Sequence, residues 1–140
     1  SLLKLLFKAE DGNSVNSYDT YFEKLIEGIP GATAAIVADR DGVPLISVGD
    51  LPNTQKAAAM ATNFSVSADQ AGKLRAGDCK TIVNMFTDYS VVHINHLPLV
   101  ISLFGTPECN IGLIIDIADN IKSTLNTLRT HLQANLENNL

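Results

Sequence analysis

The sequence predicts a single α/β domain, an α/β/α sandwich in which helices cover both faces of a five-stranded antiparallel sheet. Two observations predict this fold. Short β-type runs and helical stretches follow one another in the order helix, strand, strand, helix, strand, strand, strand, helix. Runs such as AAIVA and LVISLF are apolar on both faces, so both sides of the sheet need cover. A length of 140 residues suits one domain with a substantial core.

The composition indicates a folded protein whose partners are not nucleic acids. Hydrophobic residues make up 46% of the chain, and 15 acidic against 10 basic residues give a formal charge of -5. This charge repels duplexes and anionic membrane surfaces on average. Cys79 and Cys109 lack metal-ligand spacing, which predicts two free thiols and a cytosolic setting. No apolar run reaches the roughly 20 residues of a membrane helix.

The first helix is predicted to begin at Ser17 as its N-cap and to end near Gly28 and Pro30. The preceding stretch AEDGNSVNS is polar and contains glycine, and is interpreted as a linker. We therefore expect residues 1–16 to be a partly ordered N-terminal extension, residues 17–136 to form the domain, and residues 137–140 to be a tail.

A β-hairpin is predicted next. The runs ATAAIVA and VPLISV are joined by the turn-forming and charged residues Asp39, Arg40, Asp41 and Gly42. Pro44, just inside the second run, cannot donate a hydrogen bond to a neighbouring strand. The second strand is therefore predicted to lie at a sheet edge, with this position facing away from the pairing.

The remaining elements are a second helix, three strands and a last helix. The second helix is predicted over residues 54–75 from the apolar positions Ala57, Met60, Ala61, Phe64, Ala68, Ala71 and Leu74. An antiparallel meander is predicted over Lys80 to Phe86, Tyr89 to Leu97 and Leu99 to Phe104. Thr106 as cap, Pro107 in the first helical position and apolar residues from Ile111 to Leu132 predict the last helix.

Candidate catalytic residues are scarce. His93 and His96 share a strand, but a separation of three places them on opposite faces, so they cannot hold one metal; we expect both to be surface or interface residues. Lys80 could lower the pKa of the neighbouring Cys79, but nothing supplies a base for a reactive thiol.

No cation or phosphate site is predicted either. Turn chemistry accounts for the Asp41-Gly42 pair, and so the acidic residues Asp39, Asp41 and Asp50 need no cation. The stretch AGDCKT lacks the glycine spacing of a phosphate loop. We therefore predict no catalytic, cofactor or metal site, and a function based on surfaces.

Six short segments carry a resemblance to a known family. They are ADRDGVP (Ala38–Pro44), SADQAGKL (Ser67–Leu74), KTIV (Lys80–Val83), YSVV (Tyr89–Val92), NHLPLV (Asn95–Val100) and NIGL (Asn110–Leu113). In this order they resemble the roadblock/dynein light chain family, and within it the scaffold subunits that bind MAP kinase kinases. The resemblance extends over roughly Tyr18 to Arg129.

The resemblance implies a non-enzymatic scaffold with a roadblock, profilin-like fold and no cofactor. It implies a heterodimer with a second roadblock subunit, other Ragulator subunits as partners, and contacts with MAP kinase kinases, MAP kinases and Rag GTPases. The implied location is cytosolic, with recruitment to late endosomes and lysosomes through a separate lipidated subunit. The implied strand order is second, first, fifth, fourth, third.

That strand order exposes the run KTIVNMF as a second edge, with no proline and only Lys80 as a charge. We expect a partner of the same fold to extend the sheet there, while the small residues of the second helix admit a partner helix. The predicted interface comprises Ala57, Ala61, Phe64, Ser65, Ala68, Lys80, Thr81, Ile82, Val83, Asn84 and Met85. The opposing interpretation is that the Ala-rich helix face packs on its own sheet and the edge is solvated.

Two other functions remain open. The architecture also resembles longin modules and the bacterial roadblock proteins that regulate small GTPases, so a homodimeric GTPase regulator is the main alternative. An enzyme or small-molecule sensor would need a deep pocket between Met60, Phe64 and the sheet. We expect a packed core instead.

Overall fold

The computed structural model describes residues 12–39, 43–50, 80–96, 98–130 and 134. These ranges contain helix α1 (Gly12–Gly28), strands β1 (Ala32–Asp39), β2 (Pro44–Gly49), β3 (Thr81–Met85), β4 (Ser90–His96) and β5 (Leu99–Gly105), and helix α2 (Ile111–Thr124). After a turn at Leu125, residues 126–130 are helical again. Each strand begins and ends within one residue of its predicted position.

All five strands form one antiparallel sheet in the order β2-β1-β5-β4-β3. The predicted meander is confirmed, because β3, β4 and β5 are neighbours in chain order. The order implied by the family resemblance is also confirmed. It leaves β2 and β3 at the two edges.

The main core lies between the sheet and the two helices. Phe22 of α1 and Ile114 and Ile121 of α2 are at most 1% exposed and belong to one apolar cluster with Val92 and Ile101 of the sheet. Both described helices therefore pack on the same face of the sheet.

The opposite face of the sheet is buried as well. Its apolar residues form a second cluster, which comprises Ala34, Ile36, Ala38, Val91 and Phe104, with Tyr89 packed against it. The predicted helix over residues 54–75, including Met60 and Phe64, lies outside the described residues.

The predicted start of the first helix at Ser17 is wrong, because α1 begins at Gly12. The interpretation of this stretch as a linker is therefore wrong from residue 12 onward. The physical reason is cooperative helix formation: Phe22 is fully buried and Tyr18 packs against the core, which anchors the helix. Extending an anchored helix through polar residues costs far less than nucleating one.

The predicted start of the last helix is also wrong. Thr106 and Pro107 lie in a turn, where the Thr106 N–H donates to Gly31 O at 2.9 Å and Thr106 O accepts from Cys109 N at 3.0 Å. The N-cap is Asn110, whose side chain accepts a hydrogen bond from Leu113 N at 3.1 Å. These hydrogen bonds, one of them to the α1–β1 connection, hold Thr106 and Pro107 in a turn, so the helix begins only after Asn110.

Candidate partner interface

Strand β3 lies at one edge of the sheet that the described strands form. Among the described strands it pairs with β4 alone, in a register that places Ile82 opposite His93 and Val83 opposite Val92. The hydrogen bonds Asn95 N to Lys80 O and Phe86 N to Tyr89 O flank this register at 2.9 and 2.8 Å.

These two bonds determine which backbone groups of β3 face outward. In an antiparallel pair the residues that bond the neighbouring strand alternate with those that face away from it. Lys80 and Phe86 bond to the β4 side, so Ile82 and Asn84 do the same. Val83 and Met85 therefore direct their N–H and C=O groups away from β4, toward the open edge.

The side chains of this edge are unusually apolar and exposed. Val83 is 39% exposed, Met85 57% and Phe86 39%. Val83 shares the sheet face of its register partner Val92, which is the face covered by α1 and α2. Phe86 stacks on Tyr89 with ring centroids 4.7 Å apart. Exposed apolar side chains therefore border this edge on both faces, with Val83 and Met85 on the face of α1 and α2 and Phe86 beside Tyr89 on the other.

The β2 edge is protected in ways that β3 is not. Val43 bonds inward, because its carbonyl accepts from Asp39 N at 3.0 Å, so the next residue, Pro44, faces outward. The register shifts between Val37 and Ala38, which places a bulge beside Pro44. The prediction that Pro44 marks an edge strand is confirmed, and both devices discourage strand addition there.

The predicted interface residues are only partly within the described chain. Lys80, Thr81, Ile82, Val83, Asn84 and Met85 lie together on or beside β3. Ala57, Ala61, Phe64, Ser65 and Ala68 fall outside the described residues, so their share of the interface stays a prediction. Phe86, which is exposed directly after β3, is not among the predicted residues, although its place at the end of an apolar edge strand is visible in the sequence.

The predicted hairpin turn is described only at its first residue. Asp39 is buried at the end of β1, and its Oδ1 accepts a hydrogen bond from Val43 N at 3.0 Å. The predicted turn residues Arg40, Asp41 and Gly42 lie outside the described residues.

The two histidines lie on opposite faces of β4, as predicted. His96 is half-buried, with Nε2 3.0 Å from Asn126 Oδ1 beyond α2. His93, however, is fully buried, so its prediction as a surface or interface residue is wrong. The reason is that β4 is an interior strand, and Ser102 of β5 places its Oγ 2.6 Å from His93 Nδ1.

Within the described ranges, no group of three or more His, Cys, Asp and Glu side chains could hold a metal ion. Cys109 is a free, buried thiol, and burial raises its pKa above the ordinary value. Cys79 lies outside the described residues. None of the helices in the described part is long and apolar enough to cross a membrane.

Comparison with known families decides the chain's affiliation. The family model described as mitogen-activated protein kinase kinase 1 interacting matches residues 16–132. The chain belongs to this family. Family relatives include the Ragulator complex protein LAMTOR3 homolog of Drosophila melanogaster and the Ragulator complex protein LAMTOR3-A of Xenopus laevis. Each is 33% identical over 111 residues, covering 78% of this chain and 90% of the relative.

Solved structures place this family member in the roadblock fold. A Roadblock/LC7 domain from Streptomyces avermitilis superposes with a TM-score of 0.58 at 15% identity, covering 82% of this chain and 97% of that one. MglB from Myxococcus xanthus gives 0.62 at 13% identity, covering 85% and 90%. Identities this low establish the fold alone.

Proposed function

We propose that this chain is a non-enzymatic scaffold subunit that pairs through its β3 edge with a second roadblock-fold protein. The assembly is a Ragulator complex, in line with the names of the family relatives. The complex supports MAP kinase and Rag GTPase signalling at the cytosolic face of late endosomes and lysosomes, and other subunits attach it to the membrane.

One observation supports this proposal most directly: β3 combines exposed apolar side chains with outward-facing backbone groups. Val83 and Met85 contribute both, since their side chains are exposed and their N–H and C=O groups face the open edge. An added strand would bond these groups while covering the apolar side chains. Exposed, flat and apolar edges are avoided in proteins that stay monomeric.

The experiment is to mix the chain with a second roadblock subunit of the Ragulator complex and to measure the mass in solution by light scattering. Val83→Pro removes an N–H that faces the partner and not β4, so the monomer should fold while the complex is lost. Circular dichroism checks the fold of the variant.

Ser47→Pro is the matched control. The Asp50 N–H donates to Thr33 O at 3.1 Å, so Asp50 and Val48 bond toward β1 and Ser47 faces outward on the opposite edge. This variant should keep the complex. Equal complex masses for wild type and Val83→Pro, or equal losses in both proline variants, would show that the β3 edge is not the interface.

A further inference from the structure

A group of basic side chains lies where the end of β4 meets the last helical turns of the described chain. His96 is the last residue of β4, and its Nε2 lies 3.0 Å from Asn126 Oδ1. The His96 ring also forms a hydrogen bond with the backbone of Lys122. Lys122, Asn126 and Arg129 are four and three positions apart, so they share one face of the helical segment. We call His96 and these three residues the β4–α2 corner.

The helical backbone continues through Leu125, which keeps the corner residues aligned. Leu125 N donates to Ile121 O at 3.2 Å, and Arg129 N donates to Leu125 O at 2.9 Å. Ile121, Leu125 and Leu128 are at most 4% exposed and pack in the main core. Each corner residue of the helical segment directly follows one of these buried positions. Lys122 and Arg129 are accordingly half-buried, so packing holds their apolar stems at the rim of the core.

The positive charge of the corner is only weakly compensated. Lys122 pairs with Asp119 at 4.0 Å, and the Asp119 side chain is fully exposed, whereas that of Lys122 is 21% exposed. A pair of this length with an exposed partner contributes little. Burial lowers the pKa of His96, and the charges of Arg129 and Lys122 lower it further. Both cations therefore act on the same imidazole ring.

The strands beside β4 bring no opposing charge to this ring. Strand β5, which pairs with β4 on one side, contains no charged residue. On the other side, the carbonyl of Lys80 accepts a hydrogen bond from β4 at 2.9 Å, and strand alternation places the Lys80 side chain on the opposite face from His96. Among the described residues, the charged groups that face His96 are therefore those of Lys122 and Arg129.

We infer that the β4–α2 corner binds the phosphate group of a phosphorylated serine or threonine on a protein partner. Lys122 and Arg129 contact the phosphate oxygens, because ammonium and guanidinium groups form strong charge-assisted hydrogen bonds with phosphate. His96 is a positioning residue, since its hydrogen bonds to Asn126 and to the backbone of Lys122 hold the helical segment against β4. This site uses none of the residues of the β3 edge and does not rest on the scaffold proposal.

The surrounding charges favour a single phosphorylated side chain over an anionic membrane. The two helices expose Glu23 and Glu27 of α1 and Asp116 and Asp119 of α2, and the chain has a formal charge of -5. A membrane surface would meet these carboxylates together with the two cations, whereas a phosphorylated side chain on an extended segment reaches the cations alone. A carboxylate group matches the two cations less well, because it carries one charge and a phosphate monoester nearly two.

An NMR titration of the isotope-labelled full chain with the peptide Gly-Gly-phosphoserine-Gly-Gly tests the site. The backbone signals of the β4–α2 corner should shift, and Arg129→Gln and Lys122→Gln should each weaken binding about tenfold. Lys24→Gln is the matched control, because it removes the same charge from an exposed position of α1 and should bind as wild type does. Equal weakening in Lys24→Gln and Arg129→Gln would show that only net charge matters and would overturn the site.

The pKa of His96 gives a readout that a purely structural role would not move. A bound phosphate offsets the charges of Lys122 and Arg129, so the pKa of His96 should rise when the phosphopeptide binds. The unphosphorylated peptide should leave this pKa unchanged. The imidazole proton signals followed against pH measure it, and an unchanged pKa at saturating phosphopeptide would contradict the inference.

Two further probes distinguish the possible sources of phosphate. Inorganic phosphate should bind more weakly than the phosphopeptide, and phosphatidylcholine vesicles containing phosphatidylinositol 4-phosphate should not retain the chain in a flotation assay. Retention by these vesicles that is lost in Arg129→Gln, without binding of the phosphopeptide, would assign the corner to a lipid headgroup and overturn the inference. Inorganic phosphate that binds as tightly as the phosphopeptide would also overturn it, because the site would then recognise a free anion.

Discussion

His93 Nδ1 lies 2.6 Å from Ser102 Oγ across the β4–β5 pair, and both side chains are at most 1% exposed. The other ring nitrogen, Nε2, is buried with no hydrogen-bond partner among the described residues. Burial lowers the pKa of His93 from 6.5 to about 4, because the charged imidazolium loses its hydration. A neutral histidine is therefore part of the folded interior.

This pKa predicts a loss of stability in mild acid. Between pH 6.5 and about 4 the unfolded chain binds a proton at His93 that the folded chain does not, so the stability contributed by the neutral ring is complete above pH 6.5 and falls as the pH decreases. We expect the free energy of unfolding to decrease by about 2 kcal/mol between pH 7.5 and 5 through this residue. Urea unfolding at the two pH values measures it.

His93→Gln tests the origin of this pH dependence, because glutamine does not titrate. Its free energy of unfolding should change with pH less steeply than that of wild type. His96→Gln is the comparison: burial also lowers the pKa of His96, but His96 is less buried than His93, so its removal should reduce the slope less. An identical slope in wild type and His93→Gln would contradict the assignment.

Ser102→Ala should destabilise the fold by about 1–3 kcal/mol, since it leaves the buried His93 Nδ1 without its partner in β5. Ser47→Ala, on the exposed side of β2, is the matched control and should change the free energy of unfolding by less than about 0.5 kcal/mol. Thermal or urea unfolding of both variants distinguishes a buried hydrogen bond from a general effect of removing a hydroxyl.

Gly49→Ala should destabilise the β2 end of the sheet by more than about 1 kcal/mol. Gly49 has a φ of +93°, and a Cβ atom there would lie 2.3 Å from Thr33 O, at the close approach of β1 and β2. Gly28→Ala is the control, because no atom lies within 4 Å of its added Cβ. A melting temperature of Gly49→Ala equal to that of Gly28→Ala would refute this steric constraint.

Asp39→Ala should cost about 1 kcal/mol, because it removes the carboxylate that accepts from Val43 N at the mouth of the hairpin. Asp39→Asn retains an acceptor oxygen and should lose less. Denaturant unfolding of both variants measures the loss in free energy of unfolding. Equal losses for Asp39→Ala and Asp39→Asn would mean that the negative charge, and not the hydrogen bond, stabilises this position.

The two edge strands show which features of a sheet edge can be predicted from local sequence. Pro44 marks β2 as an edge strand from sequence alone, since a residue without an N–H is excluded from interior pairing. The run from Lys80 to Met85 is likewise predicted from sequence to be an edge strand without a proline that would prevent strand addition. Which of its backbone groups face outward follows only from the bonds to Asn95 and Tyr89. Alternate residues of a strand direct their backbone groups to opposite sides, and only the register with a neighbouring strand decides which residues face outward.

The sequence by itself determined the order of the described helices and strands, the pairing of β1 with β2 and the β3-β4-β5 meander, because side-chain periodicity and turn residues act over a few neighbouring positions. Tertiary structure alone decided that α1 starts at Gly12, that Asn110 and not Thr106 caps α2, and that His93 is buried. In each case, groups distant in sequence supply the contact: the core around Phe22, the carbonyl of Gly31 and the hydroxyl of Ser102.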